Sequence, residues 1–268
     1  MRIRIVLTIA GILLASSAWA QWNVQTVDNS GNTGQKTSIA YDAQGYPHIG
    51  YTDSNGAVYH SYWTGHAWQI ERVGGSGWGF APVALCIDDA GAIHMVYGTN
   101  HGSILAYRKK VDGVWQYPEE NITSDVSSTS ILGICTGPDG TPYVSFGTES
   151  KLACAHKPAS TWIVDTVDEA QSVGSFSSIA CDQSSHLFIA YSDDSGLDLK
   201  FAYYDGSVWS TQIVDMGGDV ATYGVSLKLD GSGNPCIAYY DQTNGNLKYA
   251  KFTGTLGGKA GLGPVRHK

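Results

Sequence analysis

Short apolar runs separated by polar turns recur along most of the chain. One stretch reads TSIAYDAQG, YPHIGYTDSNG and AVYHSYWTG, and a later stretch reads SSIACDQSS, HLFIAYSDDSG and LDLKFAYYDG. Within the runs apolar and polar side chains alternate, which is typical of a β-strand with one buried face. The Asp, Gly and Ser residues between the runs favour tight turns. The pattern therefore predicts an all-β chain of short antiparallel strands.

A repeat of 47 residues organises these strands. Four tryptophans stand at that interval: Trp68, Trp115, Trp162 and Trp209. The first turn of each copy aligns at five positions: Gly45, Gly91, Gly140, Ser185 and Gly233. Each copy contains four strands, here called A to D, and a repeat of ~40–50 residues with four antiparallel strands is typical of a propeller blade. We therefore predict a five-bladed β-propeller over residues 21–254.

The fifth copy lacks its outer strand D. Its third strand ends near Phe252, and the tail over residues 255–268 has no tryptophan strand, so we expect this tail to be flexible. A step of 46 residues back from Trp68 reaches Trp22. An open ring would leave unpaired strand edges. We therefore expect Trp22–Val27 to pair with the strand around Leu247–Phe252 and to close a ring of about twenty strands.

Side-chain size along the repeat agrees with this architecture. One aligned position of strand A carries only small residues: Ser38, Ala84, Gly133, Ser178 and Ser226. Inner strands crowd around a propeller axis, whereas the outer strands must fill a wider gap, and that is where the tryptophans fall. The sequence therefore predicts strand A at the axis and strand D at the rim.

Residues 1–20 have the layout of a secretory signal peptide. Arg2 and Arg4 precede the apolar run Ile5–Leu14, and the small-residue ending AWA follows. This layout predicts cleavage after Ala20 and export to the periplasm or the cell exterior. The apolar run is shorter than the ~20 residues that a membrane-spanning helix needs.

The mature chain is acidic. It keeps 14 of the 16 basic residues and all 24 acidic ones, which gives a formal net charge of −10. Such a chain has no electrostatic attraction to nucleic acid or to anionic membranes, and we expect neither as a partner. We expect the protein to be a monomer.

The five cysteines are an odd number without close pairs: Cys86, Cys135, Cys154, Cys181 and Cys236. Most of them fall in apolar strand-like stretches. A chain of this length builds its own hydrophobic core and does not depend on a disulfide framework. We therefore predict buried, reduced thiols.

The loops divide into two faces. The A-to-B turns, with sequences such as DAQG, DDAG and DGSG, are uniform, and they share a face with the C-to-D turns. The D-to-A and B-to-C connections vary, and diverse loops on a regular scaffold favour a binding surface. The candidate ligand-binding residues on that face are Trp78, Phe80, Asp53, His101, Glu149, Phe176, Asp193, Tyr223 and Asp241. The alternatives are that the Asp residues cap turns and that the aromatic rings wedge between blades.

Catalytic signals are sparse. The strand A positions at the axis are neutral, and the glutamates scatter through outer strands and loops, so no pair of carboxylates for glycoside hydrolysis is evident. No HExxH, GxSxG or phosphate-binding loop is present, and SDDSGLD lacks the alternating Asp spacing of a calcium loop. We predict no catalytic residue, no metal and no cofactor.

Residues 67–98 carry a resemblance to a known family. The stretch AWQIERVGGSGWGFAPVALCIDDAGAIHMVYG is similar to the five-bladed lectins typified by tachylectin-2, in its order of outer-strand tryptophan, glycine-rich loop with a second tryptophan, and apolar strand. That resemblance implies binding of N-acetyl sugars in pockets between blades, with Trp78 and Phe80 as contacts. Only one of the five connections has the GGxGW pattern, so it does not imply five equivalent pockets.

Together these features favour a secreted, non-catalytic, carbohydrate-binding propeller. Two alternatives remain open from the sequence: a glycan-degrading hydrolase or lyase with an atypical site, and a protein-interaction scaffold. An inward-facing acid–base pair would favour the enzyme, and a broad apolar patch would favour the scaffold.

Overall fold

The computed structural model describes residues 23–75, 82–99, 103–127 and 131–254. Within these ranges the chain forms twenty strands in five antiparallel sheets. Consecutive strands are hydrogen-bonded neighbours in every sheet except the second, whose fifth strand pairs with its third strand and not with its fourth. Each sheet corresponds to one copy of the repeat. The described residues contain no helix that is long and apolar enough to cross a membrane.

The strand bounds follow the repeat. Sheet 1 contains β1 (Thr33–Tyr41), β2 (Pro47–Asp53), β3 (Val58–Trp63) and β4 (Trp68–Gly74). Sheet 2 contains β5 (Val83–Ile87), β6 (Ile93–Thr99), β7 (Ile104–Val111), β8 (Val114–Trp115) and β9 (Glu120–Thr123). Sheet 3 contains β10 (Gly133–Thr136), β11 (Pro142–Gly147), β12 (Leu152–His156) and β13 (Ile163–Asp168). Sheet 4 contains β14 (Val173–Cys181), β15 (Leu187–Asp193), β16 (Asp198–Tyr204) and β17 (Trp209–Asp215). Sheet 5 contains β18 (Val220–Leu229), β19 (Pro235–Asp241) and β20 (Asn246–Lys251).

A tight turn joins strands A and B in each sheet. In the first, Asp42 Oδ1 accepts hydrogen bonds from the backbone N–H groups of Gln44 and Tyr46, at 2.9 and 2.8 Å. Gly45 completes this turn with a φ of 80°, a conformation that glycine adopts without steric cost. The fourth copy has Ser185 at the aligned position, where it takes a φ of 63°. The turn geometry is therefore kept even where its glycine is lost.

The small residues of strand A allow neighbouring inner strands to approach closely, as predicted. Ser38 Oγ accepts a hydrogen bond from Leu85 N at 3.1 Å, and this bond joins sheets 1 and 2. Ser178 Oγ accepts the corresponding bond from Leu227 N at 3.0 Å, between sheets 4 and 5. A Cβ atom added at Gly133 would lie 3.0 Å from the backbone nitrogen of Ile179 in sheet 4, and 2.7 Å from the Ser145 hydroxyl in its own sheet.

The hydrophobic core is divided among the junctions between consecutive sheets. Leu105 of sheet 2 packs in one cluster with Phe146 of sheet 3. Leu152 and Ile189 join sheets 3 and 4 in the same way, and comparable clusters lie at the two other junctions. Because these clusters lie between sheets, no sheet has a core of its own.

The predicted ring closure is not confirmed. Among the described residues sheet 5 has three strands, and residues 23–32 form no strand. Trp22, which the sequence places in the closing strand, lies outside the described residues.

All five cysteines are free thiols in the structure. The Cys135 thiol is hydrogen-bonded to the Cys181 thiol across the junction of sheets 3 and 4, and this contact together with burial raises the pKa of Cys135 well above its ordinary value. The same contact lowers the pKa of Cys181, so the two thiols of the pair are shifted in opposite directions.

Alkylation of the denatured protein without reductant is expected to modify all five cysteines, measured by mass spectrometry. The Cys135 and Cys181 pair is the only neighbouring pair of thiols that the described contacts identify. A count of three modified sites, with these two residues linked, would contradict the prediction.

Tyr191→Phe is expected to lower the free energy of unfolding by about 1–3 kcal/mol. The buried Tyr191 hydroxyl donates a 2.7 Å hydrogen bond to Asp168 Oδ2 across the junction of sheets 3 and 4, and a bond to a carboxylate contributes about that much. Tyr117→Phe is the control because its side chain is 80% exposed. Equal losses for the two variants in urea unfolding would show that the cross-sheet bond adds nothing.

Candidate functional site

A cleft of about 330 Å³ opens between sheets 1 and 2, on the face that carries the A-to-B and C-to-D turns. We call it the His48 cleft. Its volume lies within the range of small-ligand sites, about 300–1,000 Å³. Its lining residues are Asp42, Tyr46, His48, Tyr62, Trp63, Thr64, Gly91, Ile93, Lys110 and Gly113.

Aromatic rings form one side of the His48 cleft. The turn that begins at Asp42 presents Tyr46, whose side chain is 38% exposed. Strand β3 ends in Tyr62 and Trp63, and both rings are half-buried. The Trp63 ring packs edge-on against Trp68 at a centroid distance of 5.6 Å, which fixes its orientation. The cleft therefore offers preformed ring surfaces to a ligand.

A buried histidine pair lies beside the cleft, and His48 is the member of the pair that lines it. His48 Nδ1 and His60 Nε2 are 2.9 Å apart, and the two rings stack. Burial lowers the pKa of His48, and it lowers the pKa of His60 to about 3. Both rings are therefore neutral at pH 7, so one ring nitrogen donates the shared hydrogen bond and the other accepts it. The Tyr62 ring stacks on both histidines.

The charges beside the histidines compensate one another. Lys110 Nζ contacts both carboxylate oxygens of Glu71, at 2.6 and 2.7 Å, and lies 4.7 Å from the centre of the Tyr62 ring. The Trp115 indole N–H also donates to Glu71, at 2.7 Å. Burial raises the pKa of Glu71, but the bonds from Lys110 and Trp115 outweigh burial and lower it. Lys110 and Glu71 compensate each other, and the carboxylate of Asp42 leaves the site with one formal negative charge.

Carboxylates are sparse among the described residues that line the cleft. Asp42 is the one carboxylate among the described lining residues, and its Oδ1 is engaged by two backbone N–H groups. Glycoside hydrolysis uses a pair of carboxylates. Within the described ranges, no group of three or more His, Cys, Asp and Glu side chains is arranged to hold a metal ion.

Three of the residues predicted from the sequence stabilise turns. Asp53 Oδ1 accepts bonds from Asn55 N and Ala57 N, at 2.8 and 2.9 Å. Asp193 and Asp241 cap the equivalent turns of sheets 4 and 5. Asp241 is fully buried and also lies 3.0 Å from a lysine ammonium group. The turn-capping alternative accounts for these three side chains.

The other predicted residues that the structure describes do not line the His48 cleft. Glu149 is exposed in a turn, and Phe176 is half-buried in β14. Tyr223 is 66% exposed in β18, and its ring lies 6.2 Å from that of Tyr240. Trp78, Phe80 and His101 lie outside the described residues. A ligand on that face stays a prediction.

Sequence reasoning did not single out His48, Tyr62 or Lys110. A signal for the first was present, because Asp42 precedes His48 by six residues and Asp88 precedes His94 by the same interval. His94 is also buried, and its Nε2 lies 3.0 Å from Asp88 Oδ2. This six-residue spacing of Asp and His recurs in sheets 1 and 2, and it indicates a polar position on strand B beside the A-to-B turn.

Comparison with known proteins identifies the fold. No protein-family model matches the sequence, and no curated protein matches it significantly. The SapL1 lectin in complex with α-methyl fucoside aligns with 83% of this chain and 81% of its own, with a TM-score of 0.61 and 14% identity. A lectin from Aleuria aurantia in complex with Fucα1-6GlcNAc aligns with 81% of this chain and 74% of its own, with a TM-score of 0.52 and 14% identity. A Hadza microbial sialidase aligns with 82% of this chain and 56% of its own, with a TM-score of 0.55 and 12% identity.

These likenesses concern the fold. The protein has a lectin-like β-propeller fold of antiparallel sheets, which fucose-binding lectins and sialidases share. The resemblance to tachylectin-2 in particular is not shown.

Acidification is expected to destabilise the protein below pH 6.5. The unfolded state binds protons on its histidines with a pKa near 6.5, whereas folded His60 stays neutral down to about pH 3. Stability is therefore complete above pH 6.5 and falls as the pH drops, by up to ~1.4 kcal/mol per pH unit for this one residue.

The variant His60→Phe tests this assignment. Sheet 4 has Phe201 at the equivalent position, so a phenylalanine fits the strand. We expect the variant to lose less stability than the wild type between pH 7 and pH 5 in urea unfolding. An unchanged pH dependence would assign the effect to other groups.

Proposed function

We propose that the protein is a carbohydrate-binding, lectin-like propeller and that the His48 cleft holds a neutral sugar. The observation that carries this proposal is the combination of aromatic rings with neutral hydrogen-bonding groups in one cleft. A sugar ring presents an apolar face to an aromatic surface and hydroxyl groups at its edges, and such a site serves both.

Tyr46 and Trp63 are the ring surfaces in this proposal. Both side chains are partly exposed at the rim of the cleft. His48, Thr64 and Lys110 supply hydrogen bonds to sugar hydroxyls. The pairing of Lys110 with Glu71 leaves no uncompensated cation for an acidic ligand. A neutral sugar fits this electrostatic balance better than a uronic or sialic acid.

Similar structures support a sugar ligand. The SapL1 and Aleuria aurantia lectin structures contain fucose-based ligands. The similar sialidase keeps a glycan-degrading enzyme as the second candidate. The described lining residues include a single carboxylate, Asp42, which argues against hydrolysis in this cleft. The predicted signal peptide agrees with a protein that meets glycans outside the cytoplasm.

A glycan array with the mature protein is expected to identify neutral sugars, and calorimetry then gives the dissociation constant. Trp63→Ala is expected to weaken binding about tenfold or more, since 1.4 kcal/mol corresponds to one decade and aromatic contacts contribute about that much. Tyr46→Ala is expected to act in the same direction with less effect on packing. A polysaccharide degradation assay run in parallel is expected to show no product.

Trp78→Ala is the matched comparison on the opposite, loop-rich face. The sequence makes Trp78 the strongest contact there, because flanking glycines leave its ring little side-chain cover. The proposal expects this variant to keep its affinity. If Trp78→Ala loses the sugar while folded Trp63→Ala retains it, binding occurs on the loop-rich face and the His48 cleft is not the site.

A further inference from the structure

The junction of sheets 3 and 4 brings two half-buried cysteines face to face. Cys135 lies on β10, the inner strand of sheet 3, and Cys181 lies on β14, the inner strand of sheet 4. The two thiols are hydrogen-bonded to each other. Neither residue lines the His48 cleft, so a role for this pair does not depend on sugar binding there.

The backbone explains why these two side chains meet. The chain segments that lead into the junction run parallel and are joined by a β-bridge. Further along, a Cβ atom added at Gly133 would lie 3.0 Å from the backbone nitrogen of Ile179, so these two residues are in close contact. Cys135 and Cys181 each follow by two residues. Because side chains alternate along a strand, the two thiols lie on the same facing surfaces as Gly133 and Ile179.

The glycine beside the cysteines keeps the two inner strands close. The aligned position of strand A is serine or alanine in the other four sheets and glycine in sheet 3 alone. A side chain at Gly133 would press on the backbone of β14 and push that strand away. A short separation is what a disulfide needs, since its two Cα atoms lie about 4.4–6.8 Å apart. The junction therefore holds the two thiols where a bond between them is possible.

The equivalent positions at the other three described junctions hold at most one cysteine. The corresponding side chains there are Ala40 with Ile87, Cys86 with Thr136, and Ala180 with Leu229. Among the junctions that the structure describes, two thiols therefore meet at this one. Cys86 offers a matched comparison, because it has the strand position of Cys135 but a threonine at the facing position.

The two thiols differ in acidity. Their hydrogen bond lowers the pKa of Cys181, whereas the same bond together with burial raises the pKa of Cys135. A hydrogen bond that a group accepts stabilises its charged form, so the Cys135 thiol is the donor and the Cys181 sulfur is the acceptor. The thiolate is the reactive form of cysteine. Cys181 is therefore the nucleophile of the pair, and Cys135 stays protonated beside it.

We propose that Cys181 and Cys135 form a peroxide-reactive pair, in which Cys181 is oxidised first and Cys135 then closes a disulfide between sheets 3 and 4. In the first step the Cys181 thiolate attacks one oxygen of hydrogen peroxide. The O–O bond breaks, Cys181 becomes a sulfenic acid, and the departing hydroxide takes a proton from solvent to give water.

The second step forms the disulfide. The Cys135 sulfur attacks the sulfur of the sulfenic acid, the S–S bond forms, and the S–O bond breaks. The departing hydroxide takes the Cys135 proton and leaves as a second water. Two thiols are thus oxidised while one hydrogen peroxide is reduced to two waters. Without the oxidant both thiols stay reduced, and a dithiol reductant returns the pair to that state.

Treatment of the native protein with a small excess of hydrogen peroxide tests the pair. Catalase then removes the peroxide, and the protein is denatured and alkylated without reductant. We expect two fewer alkylated cysteines than in untreated protein, a peptide pair linked through Cys135 and Cys181 in the mass map, and recovery of both sites after dithiothreitol. Full alkylation of all the cysteines, or a link through any other cysteine, would overturn the proposal.

Single variants assign the order of the two steps. In Cys135→Ser we expect the sulfenic acid of Cys181 to persist and to be trapped by dimedone. In Cys181→Ser we expect neither a disulfide nor a dimedone adduct at Cys135, and an adduct there would contradict the assigned order. Cys86→Ser is the control and is expected to form the disulfide as the wild type does. The measurement on the wild type needs no variant, so it decides the proposal even where a serine destabilises the junction.

Discussion

Packing between consecutive sheets is the constraint on which the rest of this structure depends. A sheet of three to five short strands cannot cover its own two faces, so each sheet is stable only against its neighbours. Leu105 and Phe146 illustrate this, because they come from different sheets and are both fully buried. Small residues such as Ser38 let the inner strands meet, and the outer tryptophans fill the space where the sheets diverge.

The candidate site arises from variation at one position of that packing. His60 occupies the place that Tyr107, Cys154 and Phe201 take in the next three sheets. At the junction of sheets 2 and 3 the Tyr107 ring packs edge-on against Trp162 at 4.9 Å. At the junction of sheets 1 and 2, His60 likewise packs edge-on against Trp115, at 5.6 Å, and its Nε2 lies 2.9 Å from His48 Nδ1. The two junctions therefore share the edge-on contact and the hydrogen bond to a strand B histidine, and sheet 1 differs in having the smaller imidazole ring at this position.

The sequence predicts the sheets well because their causes are local and repeated. Turn residues such as Asp42 and Gly45 act within a few positions of themselves, and small residues such as Ser38 recur at the same place in each copy of the repeat. The site was not predictable in this way. His48 and Lys110 are far apart in the sequence and meet only because sheet 1 stacks on sheet 2. The repeat pattern also did not predict that the outer strand of sheet 2 is divided into β8 and β9.

The same reasoning explains why one cleft, and not five, has this composition. Five equal sites would require the same side chains at every junction, but the strand B position of His48 holds Tyr143 in sheet 3 and Phe188 in sheet 4. Sheet 2 also has a histidine at this position, His94. Its two ring nitrogens are hydrogen-bonded to the Tyr107 hydroxyl and to Asp88. The repeat therefore supplies a scaffold, and divergence at a few equivalent positions gives one junction a polar cleft of its own.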